Sequence, residues 1–338
     1  MGLVDTVTKA YMNENSVFAD AFNYLIYGGK AVVDPMKLKE LDTTEIALPF
    51  GSLDENGETG EDAVQKYRDI LKSVIIKQDD VAAYILLGIE NQSDIHYAMP
   101  VRNNIYDALQ YGKQVTDIAA RHRKKDGGSN GHRKAEYLSG FYKEDKITPV
   151  ITLVLHFGAN EWDGPLSLHE MMAVQNEKLL SYVQNYQIHL IEPARIDSAD
   201  LEKFSTSLRE VLGYIKYSKD KKGLSEFLDN NPRMIVEANA ARVIKAVTKT
   251  PIKIPEGEEV VDVCKAVEEM MNEREEIGKE EGRAEGRTEG RMEGRREGTL
   301  ATLTGLVKDG ILTIKDAALR ANMSESAFKA EMERCQRV

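Results

Sequence analysis

The chain contains no run of eighteen apolar residues, so no segment reads as a membrane-spanning helix. Its opening, MGLVDTVTKA, lacks a basic n-region and an apolar h-region, so no secretory signal is expected. Cysteine is scarce, with Cys264 and Cys335 the two in 338 residues. Neither has metal-ligand spacing or the setting of a disulfide framework, which leaves two reduced thiols of a cytoplasmic protein. Positive charge is in deficit: 45 Lys and Arg face 56 Asp and Glu, a formal net charge of −11. A chain this acidic is not drawn to nucleic acid as a whole, so any such contact must rest on cations concentrated locally.

What is present suffices for a core. The hydrophobic fraction is 42%, and this length holds one substantial domain plus appendages. The chain is organised around Tyr67 to Gln92, YRDILKSVIIKQDDVAAYILLGIENQ. Two arms rich in Val, Ile, Leu and Tyr flank a polar turn, Gln78-Asp79-Asp80, so the stretch predicts a β-hairpin. A hairpin centred there pairs residues whose numbers sum to about 159, which sets Asp69 opposite Glu90. Strand side chains alternate, so Glu90 and Gln92 share a face. Two adjacent carboxylates repel unless a cation lies between them, and Mg²⁺ or Mn²⁺ held by oxygen ligands is the obvious candidate. Acidic residues at strand ends are also common on solvated surfaces, and spacing alone leaves both readings open.

In chain order, residues 4 to 27 predict one helix, with Phe18, Phe22, Leu25 and Ile26 as its apolar stripe and Asp20 off that stripe. Gly28-Gly29 ends it. Glu45 to Phe50 predicts a short strand. Pro100 opens a helix to about Arg121 with Val101, Ile105, Ala108 and Leu109 buried. Arg102, Tyr106 and Gln110 recur every four residues on another face, where Arg suits a phosphate backbone. The stretch RHRKKDGGSNGHRK supplies Arg121, Arg123, Lys124, Lys125, Arg133 and Lys134, the strongest local basic feature, and reads equally as a DNA-contacting loop or a solvated insertion. Pro149 to Phe157 predicts a buried central strand in which His156 is a core residue. Trp162 follows as a lid over the sheet edge. Leu166 to Gln184 predicts a helix, Gln187 to Ile191 a strand, and Asp200 to Tyr217 an amphipathic helix. This order gives an α/β fold around a mixed sheet.

The same residues resemble a known family. Arg68-Asp69, Glu90-Asn91-Gln92-Ser93, Met99-Pro100-Val101-Arg102 with Tyr106, and Pro149-Val150-Ile151 with Gly158 and Trp162 are similar to the recombination-promoting nucleases. These form the Rpn family, also called YhgA-like transposases, within the PD-(D/E)XK nuclease superfamily. Phe18, Asp20, Phe22, Tyr24 and Leu25 resemble its opening helix, and the match runs in order from about residue 15 to 215. The resemblance implies a restriction-endonuclease-like core, a mixed central sheet flanked by helices, with an α-helical C-terminal extension. It implies a metal-dependent DNA endonuclease in which Asp69 and Glu90 hold Mg²⁺ or Mn²⁺, the Asn91 carbonyl is a further ligand, Gln92 orients water or a phosphate oxygen, and Asp20 faces the metal. It also favours a role for Arg102 at the substrate or in the architecture of the site. Gln92 stands where most of the superfamily has Lys, though this branch often has Gln, and Asn23 stands where the branch often has Lys. A nuclease-like DNA-binding protein that has lost cleavage and works through its tail is therefore the alternative expectation. The three-acid RNase-H-like pattern of many transposases is not seen.

Domain boundaries are expected at 1–217 for the nuclease-like domain, 218–275 for a helical extension, 276–298 for a repeat and 299–338 for a small helical tail. In the repeat, Glu281, Glu285, Glu289 and Glu293 align on a helix, as do Arg283, Arg287, Arg291 and Arg295. Glycine every fourth residue makes it a poor helix alone. Against another copy, a Glu stripe meets an Arg stripe, so a homo-oligomer is one expectation and a spacer the other. In the tail, Thr313 and Ser324 read as helix starts.

Overall fold

The computed structural model describes residues 2–41, 44–45, 66–67, 69–78, 81–126, 139–229 and 231–334. The hairpin turn at Asp79-Asp80, most of the strand expected at Glu45 to Phe50, and Arg133 and Lys134 lie outside them. The chain divides into two units, Met1–Val267 and Glu268–Val338.

The first unit opens with two helices, α1 (Leu3–Met12) and α2 (Asn15–Tyr27), where one was expected. The cause is a lysine from elsewhere in the chain. Lys72 is 2% exposed, and its ammonium donates to the Asn13 carbonyl and the Asn15 Oδ1, each at 2.6 Å. A buried ammonium needs acceptors, and the break between the helices provides them. Gly28 then closes α2 in the left-handed region, with φ of 61°. The N–H groups of Gly28 and Gly29 reach back to the Tyr24 and Asn23 carbonyls.

A five-stranded sheet follows. Its members are β1 (Lys39–Glu40), β4 (Ile70–Gln78), β5 (Val81–Gln92), β6 (Val150–His156) and β7 (His189–Ile191), in that spatial order. Two further short strands, β2 (Thr44–Glu45) and β3 (Lys66–Tyr67), pair with each other. The central hairpin β4–β5 pairs Ile70 with Ile89 through Gln78 with Val81, the register expected from the sequence. From β5 onward the sheet is parallel, and α3 (Met99–Asp126) makes the crossover to β6. The architecture is thus mixed α/β. Asp107 ties the crossover to the sheet by accepting from Thr152 Oγ1 and Tyr186 Oη, both at 2.6 Å.

Two predicted helices resolve otherwise. Leu166 to Gln184 contains only a 3₁₀ turn and the one-turn helix α4 (Glu177–Leu180). Its backbone is held otherwise: the Asn185 Oδ1 accepts from the His169 N–H, and Ser167 pairs with Gln187 in an isolated antiparallel backbone bridge. Asp200 to Tyr217 splits into α5 (Ser198–Leu201) and α6 (Leu208–Tyr217). The intervening turn wraps the carboxylate of Asp20, described below. His156 is a core residue as expected, 3% exposed, and burial pushes its pKa down. Trp162, also buried, packs with Met99, Val154 and Ile188.

The unit ends with α7 (Lys221–Leu228), α8 (Ala238–Thr248) and a two-stranded ribbon, β8 (Ile235–Glu237) with β9 (Val260–Asp262). The helix α9 (Val263–Lys308) begins here and carries the whole Glu-Gly-Arg repeat. The repeat is helical because its turns extend from flanking turns already formed, and extending a helix is far easier than starting one. Every residue from Asn272 to Thr299 is exposed.

In the second unit, Leu300 and Leu303 of α9 form a small core with Ala317 and Ala318 of α10 (Ile314–Arg320) and Phe328 of α11 (Glu325–Arg334). Thr313 caps α10 as the sequence suggests, accepting from the Asp316 N–H at 3.2 Å. Among the described residues, no helix is long and apolar enough to cross a membrane.

Candidate functional site: an acidic cleft at the end of the hairpin

The ladder between β4 and β5 stops at Ile70 and Ile89, and Asp69 sits just beyond it. There its carboxylate replaces the next rung. The Asn91 N–H donates to Asp69 Oδ2 at 2.8 Å, which fixes the side chain at the strand end. Glu90 occupies the neighbouring position on β5, paired with Val154 of β6. Its side chain lies outside the described residues.

Asp69 opens into a cleft of about 300 Å³ lined also by Asp5, Asn91, Gln92, Ser93 and Arg102. Burial raises the pKa of Asp69. The Asn91 N–H and the charges of Lys9 and Arg102 pull it back, whereas Asp5 pushes it further up. The carboxylate is therefore held in a place where its own charge is poorly solvated.

Gln92 turns its amide back along the strand. Its Nε2 donates to the Asn91 carbonyl at 2.9 Å. The Asn91 side chain itself is 8% exposed, and neither its Oδ1 nor its Nδ2 has a hydrogen-bond partner. Arg102 reaches the cleft from α3, and its Nε donates to Tyr106 Oη at 3.1 Å. Tyr106 is 1% exposed. It is therefore a core residue that holds Arg102, which corrects the expectation of Tyr106 as a DNA-contacting side chain. The period of four placed the two residues on one face correctly, but Tyr106 lies on the buried side of it.

A larger correction concerns Asp20. It is 2% exposed, and its carboxylate accepts from the N–H and hydroxyl groups of both Ser205 and Thr206, at 2.7–3.0 Å. Its acceptor capacity is taken by the chain itself, and among the lining residues it is Asp5 of α1 that brings a carboxylate from the N-terminal helices to the cleft. Asp5 accepts from Ser93 Oγ at 3.1 Å and from the Gly2 N–H at 3.2 Å. Asn23 is likewise structural: its Oδ1 accepts from the Val32 and Val33 N–H groups at 3.0 and 2.7 Å.

Asp5 and Lys9 escaped the sequence reading. They lie one helical turn apart on α1, whereas the apolar stripe that marks residues 4 to 27 as helical lies on α2. The signal was an Asp-x-x-x-Lys pair, but nothing local says which element that face meets.

The basic stretch begins as helix. Arg121, Arg123 and Lys124 are exposed on the last turns of α3, where cations suit the negative end of the helix dipole. Lys125 continues α3, and its side chain lies outside the described residues.

The donor set of the cleft fits a hard divalent cation. Asp5, Asp69, Asp94, Asn91 and Gln92 line it, carboxylate and amide residues of the type that ligate such ions. Among the described residues no three Asp, Glu, His or Cys side chains group as metal ligands, so amide or main-chain oxygens and Glu90 are needed to complete a shell.

Fold and site together define a mixed α/β protein with an acidic cleft at the end of its central hairpin. A family model described as "Putative transposase, YhgA-like" matches residues 59–243, more than half of the chain. The chain belongs to this family. No curated protein and no solved structure matches it.

Proposed function

We propose that the protein is a metal-dependent DNA endonuclease of the recombination-promoting type, with a PD-(D/E)XK core, hydrolysing phosphodiester bonds. The observation that carries this is the Asp69 carboxylate, fixed by the Asn91 N–H at the rim of the cleft, with Glu90 just before Asn91 on β5. Asp69 and Glu90 would hold Mg²⁺ or Mn²⁺. When bound, the ion supplies an activated water at neutral pH and offsets charge on the phosphate oxygens. Asp69 contributes fixed orientation, since its second oxygen is tied to the backbone. Gln92 keeps the Asn91 carbonyl in place through its amide. It is neutral, so it adds no positive charge of its own. Arg102, steadied by Tyr106, presents a planar fork to a phosphate. Arg121, Arg123, Lys124 and Lys125 would bind the DNA backbone further along.

Cleavage of supercoiled plasmid with and without Mg²⁺ tests the proposal. Nicked or linear product is expected only with metal, and not from Asp69→Ala. Metal-independent cleavage, or equal cleavage by the variant, refutes it.

The neutral Gln92, turned onto the main chain, favours one second reading: a nuclease-like DNA-binding protein that cleaves weakly or not at all and acts through oligomerisation of its tail. The exposed Glu and Arg stripes of α9 support self-association. Light scattering should show a lower oligomeric state when residues 278–338 are deleted. A full-length monomer at high concentration excludes assembly.

A further inference from the structure

We propose that Tyr97 is a stacking platform for a DNA base beside the acidic cleft, and that the site therefore favours a strand with an unpaired base next to the scissile phosphate. This rests on the endonuclease reading above and names the substrate class of that site.

Tyr97 follows directly on the run Asn91 to His96, every member of which lines the cleft. That run is fixed at several points. Ser93 Oγ donates to Asp5 Oδ1, Ile95 packs against the cluster of Met99, Val154, Trp162 and Ile188, and the Met99 N–H donates to the His96 carbonyl at 3.0 Å. A second loop closes on the turn at Gly164, where an added Cβ would lie 3.0 Å from both Ile95 Cγ2 and Trp162 Nε1. From that loop Asp163 accepts the Tyr97 hydroxyl at 3.0 Å. Tyr97 is thus anchored at its backbone and at its tip, yet it is 60% exposed. The polar tip has a partner, so what the residue offers to an incoming molecule is its ring. An aromatic ring held at both ends loses little freedom when a flat ligand covers it, which favours binding.

Charge decides which part of a nucleotide meets that ring. Asp94 is exposed in the same turn, and Asp163 is exposed on the Tyr97 hydroxyl. Two carboxylates repel a phosphate and leave a neutral base unhindered. The cation suited to the phosphate is Arg102, which lines the cleft a little further along the same segment. Backbone and base are thereby offered different partners on one stretch of chain. In an intact duplex both faces of every internal base are already covered by its neighbours. A side chain can stack only where a neighbour is displaced, as at an end, a gap or a mismatch. Every base has a π-face, so the preference is for unpaired bases and not for one sequence.

The test compares cleavage by the full-length protein, with Mg²⁺, of a matched duplex and of the same duplex carrying one mismatched pair. The parent is expected to prefer the mismatched DNA. Tyr97→Leu should lower kcat/KM on that substrate about tenfold while changing the matched duplex by less than about twofold. Tyr97→Phe keeps the ring, loses only the tie to Asp163, and should keep the preference. A second readout follows the contact itself: 5-iodouracil at the mismatched position, irradiated with the parent protein in EDTA, should crosslink to Tyr97. Equal cleavage of both substrates by the parent, or a preference that survives in Tyr97→Leu, overturns the stacking role and leaves the endonuclease reading standing. So does a Tyr97→Phe variant as impaired as Tyr97→Leu, since the hydroxyl tie and not the ring would then be what matters. If Tyr97→Leu does not fold, the crosslink decides, and crosslinking only at other residues overturns the role. Cleavage of neither DNA by the parent overturns the endonuclease reading and this proposal with it.

Discussion

Asp20 and Asp69 occupy opposite situations in the same domain. Asp20 lies on a helix, is almost wholly buried, and receives donors from four groups of Ser205 and Thr206. Asp69 lies at a strand end, opens on a cleft, and receives one backbone N–H. Both look alike in the sequence, as acids beside apolar stripes. The difference is where the remaining acceptor positions point. Those of Asp20 are filled by the chain, so it fastens α2 to the turn between α5 and α6. Asp69 lines the cleft, where a ligand can use the positions it has left.

The comparison can be broken most sharply by removing each carboxylate in turn. Asp69→Ala should abolish Mg²⁺-dependent plasmid cleavage while urea unfolding shows a stable protein. Asp20→Ala should do the reverse in kind: a loss of about 3 kcal/mol in unfolding free energy, because the buried ends of its donors are left unpaired. Equal stability losses in the two variants would erase the distinction.

A pH series sharpens it. Burial raises the pKa of Asp69 in the fold above the usual carboxyl value near 3.9. Below the unfolded value the group is neutral in both states and carries no penalty. As pH rises through the folded value it must ionise in a poorly solvating place, and metal-free stability falls. Asp69→Asn, which can still accept from the Asn91 N–H, should therefore melt higher than the parent at neutral pH without metal. That advantage should fade as pH drops below about 4. A constant advantage at all pH values would mean that the carboxylate's charge is not the cause.

Changes at Gln92 should be milder. Gln92→Ala is expected to lower cleavage several-fold, since it frees the Asn91 carbonyl and removes no charge. Gln92→Lys restores the superfamily's usual residue and should raise the rate if the cleft admits the longer chain; cleavage equal to that of Gln92→Ala shows that it does not. The smallest effect is expected from the cations at the end of α3. Neutralising Arg121, Arg123, Lys124 and Lys125 should flatten the slope of log affinity against log salt by up to about 0.9 per lost phosphate contact. An unchanged slope places the DNA elsewhere.

The same contrast explains what the sequence could and could not reveal. The hairpin register was legible because strand pairing depends on a turn and an alternating pattern, both local. The observed Ile70–Ile89 rung follows from them. The juxtaposition of Asp69, Asn91 and Gln92 comes with that register. Helix continuity was not legible. Residues 4 to 27 and 200 to 217 carry unbroken helical patterns, yet each is interrupted where a distant side chain captures the backbone: Lys72 at Asn13, Asp20 at Ser205 and Thr206. Periodicity reports which face is apolar. It carries no information about a hydrogen-bond partner that arrives from 59 or 185 residues away. Asp5 was hidden for the same reason, since its place depends on how α1 lies against β5. For the repeat the sequence leaves helix and linker both open, because its glycines argue against a helix alone and the flanking turns argue for one.

The repeat's period has a geometric consequence. A residue recurring every four positions gains about 40° on a helix of 3.6 residues per turn. From Gly282 to Gly298 the glycine row therefore circles about 160° of the surface, and the Glu and Arg rows travel with it. A heptad seam lags the helix and calls for a left-handed coil. A four-residue seam leads it, so a second strand following these rows must wind in the right-handed sense. Such a seam can stay in register with a straight neighbour for only a few turns, which bounds the length of any one contact however many repeats are added.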